Sequence, residues 1–199
     1  MAAPLSPCAG RLNKMRIIAG TFRSRQLKSL KGLTLRPTSD MMRETLFNIL
    51  GPRVEGSRFL DLFAGTGAIG IEAVSRGAAQ VVFVEKHPAT VRLLRENLAS
   101  LEISSGVQVI PADVAAAVTK LSVGNARQFD FIFLDPPYVE ENKYRDTLHA
   151  LEESTLLTES TIVIAEHHKK FASSKSVGRL EQFRTLTQGD AALSFYKLA

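Results

Sequence analysis

The 199-residue sequence predicts a doubly wound α/β domain, a mostly parallel sheet with helices on both faces, with a small basic appendage at its N-terminus. Three observations predict it. From Arg58 onward, short apolar and β-branched runs alternate with segments of helical period, the pattern that βαβ units leave in a sequence. A glycine-rich turn, Gly65 to Gly70, separates the first of these strands from its helix. Carboxylates then stand at or just past the ends of successive strands: Asp61, Glu85, Asp113 and Asp135.

The elements follow in order. Residues 1–14 are small, Pro-containing and aperiodic, and are expected to be a disordered extension. "MRIIAGTFRSRQL", from Met15, reads across 16–20 and then 21–23 as a short strand, a turn and a second strand, which makes a basic hairpin. "RPTSDMMRETLFNILG" predicts a helix over about 40–50. Ser39 is its N-cap, Met42, Leu46, Ile49 and Leu50 form its apolar stripe, and Gly51-Pro52 stops it. Residues 15–52 thus form the appendage and 53–199 the main domain. "RFLDLF" is a strand and "GAIGIEAVSRG" its helix, closed by Gly77. "QVVFVE" and "VQVIPA" are the next strands, followed by the helices "PATVRLLRENLASL" and "DVAAAVTKL". "FDFIFLD" is the fourth strand, a helix spans 143–151, and "STIVIAE" is the fifth strand. In the tail, "RLEQFRTLT" and "ALSFYKL" alternate in polarity across "QGDA", which predicts an antiparallel pair and a total of seven strands.

Hydrophobic residues at 45% and charged residues at 23% suit a globular protein with a proper core. No apolar run is long enough for a membrane span, and "MAAPLSPCAGRLNK" lacks the apolar core of a secretory signal. The only cysteine is Cys8, which excludes an internal disulfide and a cysteine zinc cluster. A cytoplasmic location is expected. The net charge of +5 is concentrated at one end: nine Lys or Arg against one acid through Arg43, then sixteen bases against nineteen acids. Such a block is either a phosphate-binding surface or a solvated arm.

"DLFAGTGAIG" sets Gly65, Gly67 and Gly70 as G-x-G-x-x-G, and Glu85 follows Gly65 by twenty residues. That spacing fits a dinucleotide fingerprint. A pyrophosphate, however, needs helix-start amides with no negative charge beside them, and Asp61 and Glu85 both end strands facing this crevice. An acid-lined crevice suits a cation with free hydroxyls, and S-adenosylmethionine (SAM) has a sulfonium, an α-ammonium, two ribose hydroxyls and no phosphate. Glu85 would accept from the ribose, the glycines would let the backbone close on the methionine part, and Asp113 would bracket the adenine amine. Gly70 alternatively serves helix–strand packing, and Asp113 alternatively caps the following helix.

"FIFLDPPYVE" ends a buried-looking strand in Asp135, Pro136, Pro137 and Tyr138. Prolines fix φ and have no N–H, so the turn is a stiff bracket offering a carboxylate, carbonyl acceptors and an aromatic face. These suit an exocyclic nucleobase amine, whose lone pair is delocalised: acceptors on its hydrogens help it become tetrahedral, and Tyr138 can stack on an unstacked base.

The strand-ending DPPY resembles motif IV of amino-methyltransferases, and "DLFAGTGAIGIEA" resembles their motif I. Together with "MRIIAGTFRSRQL", "RPTSDMMRETLFNIL", "FVEK" and "GDAALSFYKL", the chain from Met15 onward resembles the RsmD family, bacterial 16S ribosomal RNA guanine-N2 methyltransferases that act on the small subunit during assembly. The resemblance implies a Rossmann-like SAM-dependent methyltransferase fold. It implies SAM binding by Asp61, Phe63, Ala64, Gly65, Thr66, Gly67, Glu85 and Asp113, with Asp135 to Tyr138 at the target amine. It also assigns Arg16, Arg23, Arg25, Lys28, Arg36, Thr38 and Arg43 to RNA contact. The family usually begins near Met15, so residues 1–14 are expected to be a start-site extension. "QGDAALSFY" lacks a tyrosine expected before its Gly, and no site role is carried over there.

Further residues bear on the site. Phe63 either packs beside the cofactor or fills the core. Asn48 lies off the apolar stripe of its helix and is a candidate to reach the cofactor or base, and His87 is a candidate for the adenosine site. His167-His168 has no ligand cluster around it, and no metal is expected. The expected partner is 16S rRNA within a small subunit, and the expected state is a monomer. Three other readings share features: a DNA adenine or cytosine amino-methyltransferase, a nicotinamide-dependent oxidoreductase, and a non-catalytic RNA-binding assembly factor.

Overall fold

A computed structural model describes residues 15–29, 39–123, 128–137 and 141–199. Helix α1 spans Asp40–Leu50, as its sequence predicts, and the Ser39 side chain caps it by accepting from the Met42 N–H at 3.1 Å. A 3₁₀ turn, Gly51–Val54, leads to the alternating units β1 Arg58–Leu62, α2 Ala68–Ser75, β2 Gln80–Val84, α3 Pro88–Ser100, β3 Val107–Ile110, α4 Val114–Val123, β4 Phe131–Leu134 and α5 Glu141–Glu152. Then come β5 Ile162–His168, β6 Ser176–Val177, β7 Leu180–Gln188 and β8 Ala191–Leu198.

One eight-stranded sheet runs β3-β2-β1-β4-β5-β8-β7-β6, against the seven strands expected. The extra strand is β6, two residues paired antiparallel to the start of β7 and too short to leave a period in the sequence. Pairs from β3 through β5 are parallel, and β8 and β7 are antiparallel. Side-chain alternation in the parallel strands fills two cores. Phe59, Phe83 and Phe133 face α1, α2 and α3, with the Phe47 ring of α1 stacked on Phe59 at 6.1 Å. Leu60, Val82 and Leu134 face α4 and α5.

The N-terminal hairpin is corrected. Residues 15–29 make a single isolated antiparallel bridge, Arg16 to Gln26, and no strand ladder. The turn falls later than expected, with the Arg23 N–H donating to the Gly20 carbonyl and the Arg25 N–H to Phe22. Gly20 and Ser24 take positive φ there, so residues 21–23 are turn rather than strand. Around that bridge the Ile17 N–H donates to the Arg25 carbonyl at 3.0 Å, the Ser24 N–H to Ile17 at 2.9 Å and the Leu27 N–H to Met15 at 2.9 Å, and the segment buries Ile17 and Leu27 in the core shared with α1 and α3.

Strand order reverses between β1 and β4, since the chain runs outward from β1 to β3 and then returns beside β1. Open α/β sheets bind ligands beyond the carboxyl ends of the strands at such a point. Register aligns Val84, Leu62, Leu134 and Ala165 across β2, β1, β4 and β5. The residues one step further are Glu85, Phe63, Asp135 and Glu166, which form a row along that edge.

Candidate active site

Asp61 sits within β1, 2% exposed, and its Oδ2 accepts the Gly70 N–H at 2.9 Å. Burial pushes its carboxyl up to about 7; the Gly70 hydrogen bond opposes this and the Glu85 charge adds to it. Phe63 takes φ of 63° at the strand end, a left-handed conformation that a bulky residue rarely adopts. Its half-buried ring packs on the core facing α4 and α5. The chain then tightens. The Ala64 N–H donates to the Val84 carbonyl (2.9 Å) and the Gly67 N–H to the Ala64 carbonyl (2.8 Å). Gly67 has φ of 84°, and a Cβ there would stand 2.3 Å from the Leu94 side chain. At Gly70 a Cβ would meet the Phe83 ring at 2.2 Å, so this glycine serves the close approach of α2 to β2.

Glu85 is a tie as well as a ligand candidate. Its Oε2 accepts the Gly65 N–H at 3.0 Å and its Oε1 the His87 N–H at 2.8 Å, leaving each oxygen a further lone pair. The amides of Gly65, Gly67 and Gly70 are therefore already spent on Glu85, Ala64 and Asp61. A pyrophosphate cradle needs those amides free. This donor set does not fit a dinucleotide. It does fit a cationic ligand with hydroxyl donors, which needs acceptors. Asp113 is exposed, and its Oδ1 accepts the Ala115 N–H at 3.1 Å, so it caps the start of α4.

Asp135 follows β4 directly and is half-buried, with Pro136 buried behind it. Its carboxyl is held well above the usual carboxylate range, first by burial, then by Glu166, then by Asp61. Glu166 was missed in the sequence. It is 3% exposed and lies within β5, one step past the Leu134–Ala165 pair and so beside Asp135. The available signal was a lone carboxylate in an otherwise apolar strand, "TIVIAE".

The family model described as "Conserved hypothetical protein 95" matches residues 15–197. The chain belongs to this family, the RsmD family. YlbH of Bacillus subtilis, described as a putative rRNA methyltransferase, is 38% identical over 185 residues, covering 92% of this chain and 98% of that protein. "Ribosomal RNA small subunit methyltransferase D" of Haemophilus influenzae is 36% identical over 162 residues, covering 78% of this chain and 80% of that protein. The solved structure of yhhF from Escherichia coli superposes with a TM-score of 0.81 at 30% identity, over 93% of this chain and 98% of that one.

This RsmD-family chain holds its described basic residues in different ways. Arg16, Arg23, Arg25 and Lys28 are exposed. Arg16 pairs with Asp40 at 3.2 Å, Lys28 with Glu96 at 2.9 Å, and Arg25 donates to the Ser100 carbonyl at 2.9 Å. Arg43 departs from the expectation, because its side chain is wholly buried. Its Nη2 donates to the Arg16 carbonyl and to Asp40 Oδ1, both at 2.7 Å, so it braces the basic segment from beneath. Arg36, Thr38 and Tyr138 lie outside the described residues. Asn48 and His87 are exposed. His167 joins a buried network through Ser194 Oγ at 2.8 Å and packs edge-on to Tyr144; burial lowers its pKa, which keeps it neutral.

Proposed function

We propose that this SAM-dependent rRNA methyltransferase transfers a methyl group to the exocyclic N2 amine of a guanine in small-subunit rRNA. The observation that carries the reading is the row at the switch point: Asp135, on a stiff Pro-Pro turn, next to the carboxylate-bound glycine loop of a chain that belongs to the RsmD family. SAM, when bound, supplies an electrophilic methyl on a sulfonium that leaves as a neutral thioether. Asp61, Glu85, Asp113 and residues 63–67 would hold it, with Glu85 offering its remaining lone pairs to hydroxyl donors.

Asp135 would accept a hydrogen of the target amine and help its nitrogen pyramidalise. This task does not need an ionised carboxylate, because a protonated carboxyl keeps a carbonyl acceptor. The raised pKa of Asp135 is therefore compatible with the role, and a cation brought into the crevice would favour its ionised form. Pro136 and Pro137 have no backbone N–H, so they add carbonyl acceptors but no donors to the turn. Orientation and desolvation supply the rest. Arg16, Arg23, Arg25 and Lys28 would contact RNA phosphates, with an assembling small subunit as substrate and the monomer as active form in the cytoplasm. Among the described residues no helix is long and apolar enough to cross a membrane.

The test is transfer of labelled methyl from SAM to naked 16S rRNA, unmodified small subunits and duplex DNA, followed by nucleoside analysis. N2-methylguanine from RNA or subunits is expected. Label in DNA alone would replace the reading with a DNA amino-methyltransferase.

A further inference from the structure

The basic segment closes on itself around the Arg16–Gln26 bridge, and it is also fastened to two helices, α2 and α3, beside the cofactor loop. On α2, the Glu72 carboxylate accepts the N–H groups of Ile18 at 2.7 Å and Ala19 at 3.0 Å. Ser75 accepts the Thr21 N–H on its carbonyl (2.8 Å) and the Phe22 N–H on its Oγ (3.0 Å). The approach is so close that a Cβ on Gly20, whose φ is 82°, would stand 1.8 Å from the Ser75 carbonyl oxygen.

On α3, Asn97 is fully buried, and its Oδ1 accepts the Lys28 N–H at 2.8 Å while its Nδ2 donates to the Lys28 carbonyl at 3.1 Å. The second hydrogen of Nδ2 goes to the Thr66 carbonyl at 2.9 Å. Thr66 lies between Gly65 and Gly67, and its hydroxyl also reaches Met15 Sδ at 3.3 Å. One buried amide thus clamps the end of the basic segment and the middle of the cofactor loop. Neither hydrogen of Nδ2 is left over to follow one without the other.

We propose that Asn97 is a positioning residue that couples the two, so that SAM and RNA each tighten the binding of the other. The proposal rests on the reading of the basic segment as the RNA contact. Fixing the loop fixes the Lys28 backbone through the shared amide, and ordering that backbone on RNA fixes Thr66 in return. Linkage requires the same factor in both directions.

The test is calorimetric titration of S-adenosylhomocysteine, with and without saturating 16S rRNA in the form that accepts methyl. The wild-type dissociation constant is expected to fall at least about fivefold when RNA is present. In Asn97→Ala the ratio is expected to collapse to near one, whatever happens to the affinity without RNA. A merely structural asparagine would shift both affinities and leave their ratio intact. Gly20→Ala, which lifts the segment off Ser75 without touching the loop, is expected to lower the ratio too and serves if Asn97→Ala does not fold. A wild-type ratio of one, or an unchanged ratio in the folded variants, overturns the proposal. Arg23→Ala/Arg25→Ala tests the premise separately: RNA affinity equal to wild type would remove the basic segment as the contact, whatever the ratio.

Discussion

Replacing Asp61 with Asn should make the cofactor-free protein more stable and less able to bind SAM. Asp61 is 2% exposed and its carboxyl is raised from an ordinary 3.8 to about 7. A carboxyl raised by folding stabilises the fold fully below its unfolded value, and that contribution is lost as pH climbs through the folded value. Each pH unit between 3.8 and about 7 removes about 1.4 kcal/mol, so ionised Asp61 costs the cofactor-free fold about 4 kcal/mol above neutrality. Asn carries no such charge, and its Oδ1 can still accept the Gly70 N–H. The gain should be about 2 kcal/mol at pH 5 and about 4 kcal/mol at pH 8, the latter worth roughly 8–16 °C in Tm for a chain of this size. Urea and thermal unfolding at both pH values, without cofactor, measure it. SAM binding should weaken by roughly 10- to 100-fold, the size of a lost charge-assisted hydrogen bond. Wild-type affinity for SAM should itself decline below about pH 7, where Asp61 takes up its proton. A stability difference that is the same at pH 5 and pH 8, or a variant destabilised at both, would refute the reasoning.

Asp135→Ala should lower kcat by roughly 100-fold or more while S-adenosylhomocysteine and RNA affinities stay within about threefold, as seen by single-turnover assays and calorimetry. Glu166→Gln removes a charge that holds the Asp135 carboxyl up, so any acidic limb in the pH profile of kcat/KM should move to lower pH; an unmoved limb would detach Glu166 from Asp135. Gly70→Ala should cost about 1–3 kcal/mol in urea unfolding, because its Cβ would meet the Phe83 ring at 2.2 Å. Arg23→Ala/Arg25→Ala should flatten the plot of log RNA affinity against log salt by about 1.4, near 0.7 for each phosphate that is no longer neutralised on single-stranded RNA.

Much of the site could be read from the chain because each part of it is local. Ser39 caps α1 where the sequence puts the cap, and the strand-ending carboxylates lie on one edge because parallel strands all end there. Gly70 was ambiguous in one dimension, and the Phe83 ring resolves it as a packing glycine. Glu166 stayed hidden because its meaning is lateral: it is 31 residues from Asp135 and becomes its neighbour only through the pairing of β4 with β5. Arg43 misled for the opposite reason. Counted with the other bases it looked like surface charge, but position 43 shares the buried face of α1 with Met42, Leu46 and Phe47.

The sequence alone determined the alternation of strands and helices, the order of the acidic strand ends and membership in the RsmD family, since period, spacing and motif are properties of neighbours along the chain. The tertiary structure decided what those residues do to one another. It set Glu85 against Asp61, and Glu166 and Asp61 against Asp135, so that the carboxyls of Asp61 and Asp135 hold their protons more tightly. It spent loop amides on carboxylates and laid the basic segment on Asn97. Electrostatic shifts and shared hydrogen bonds depend on distance through space and on burial, and neither is set until the sheet has ordered its strands.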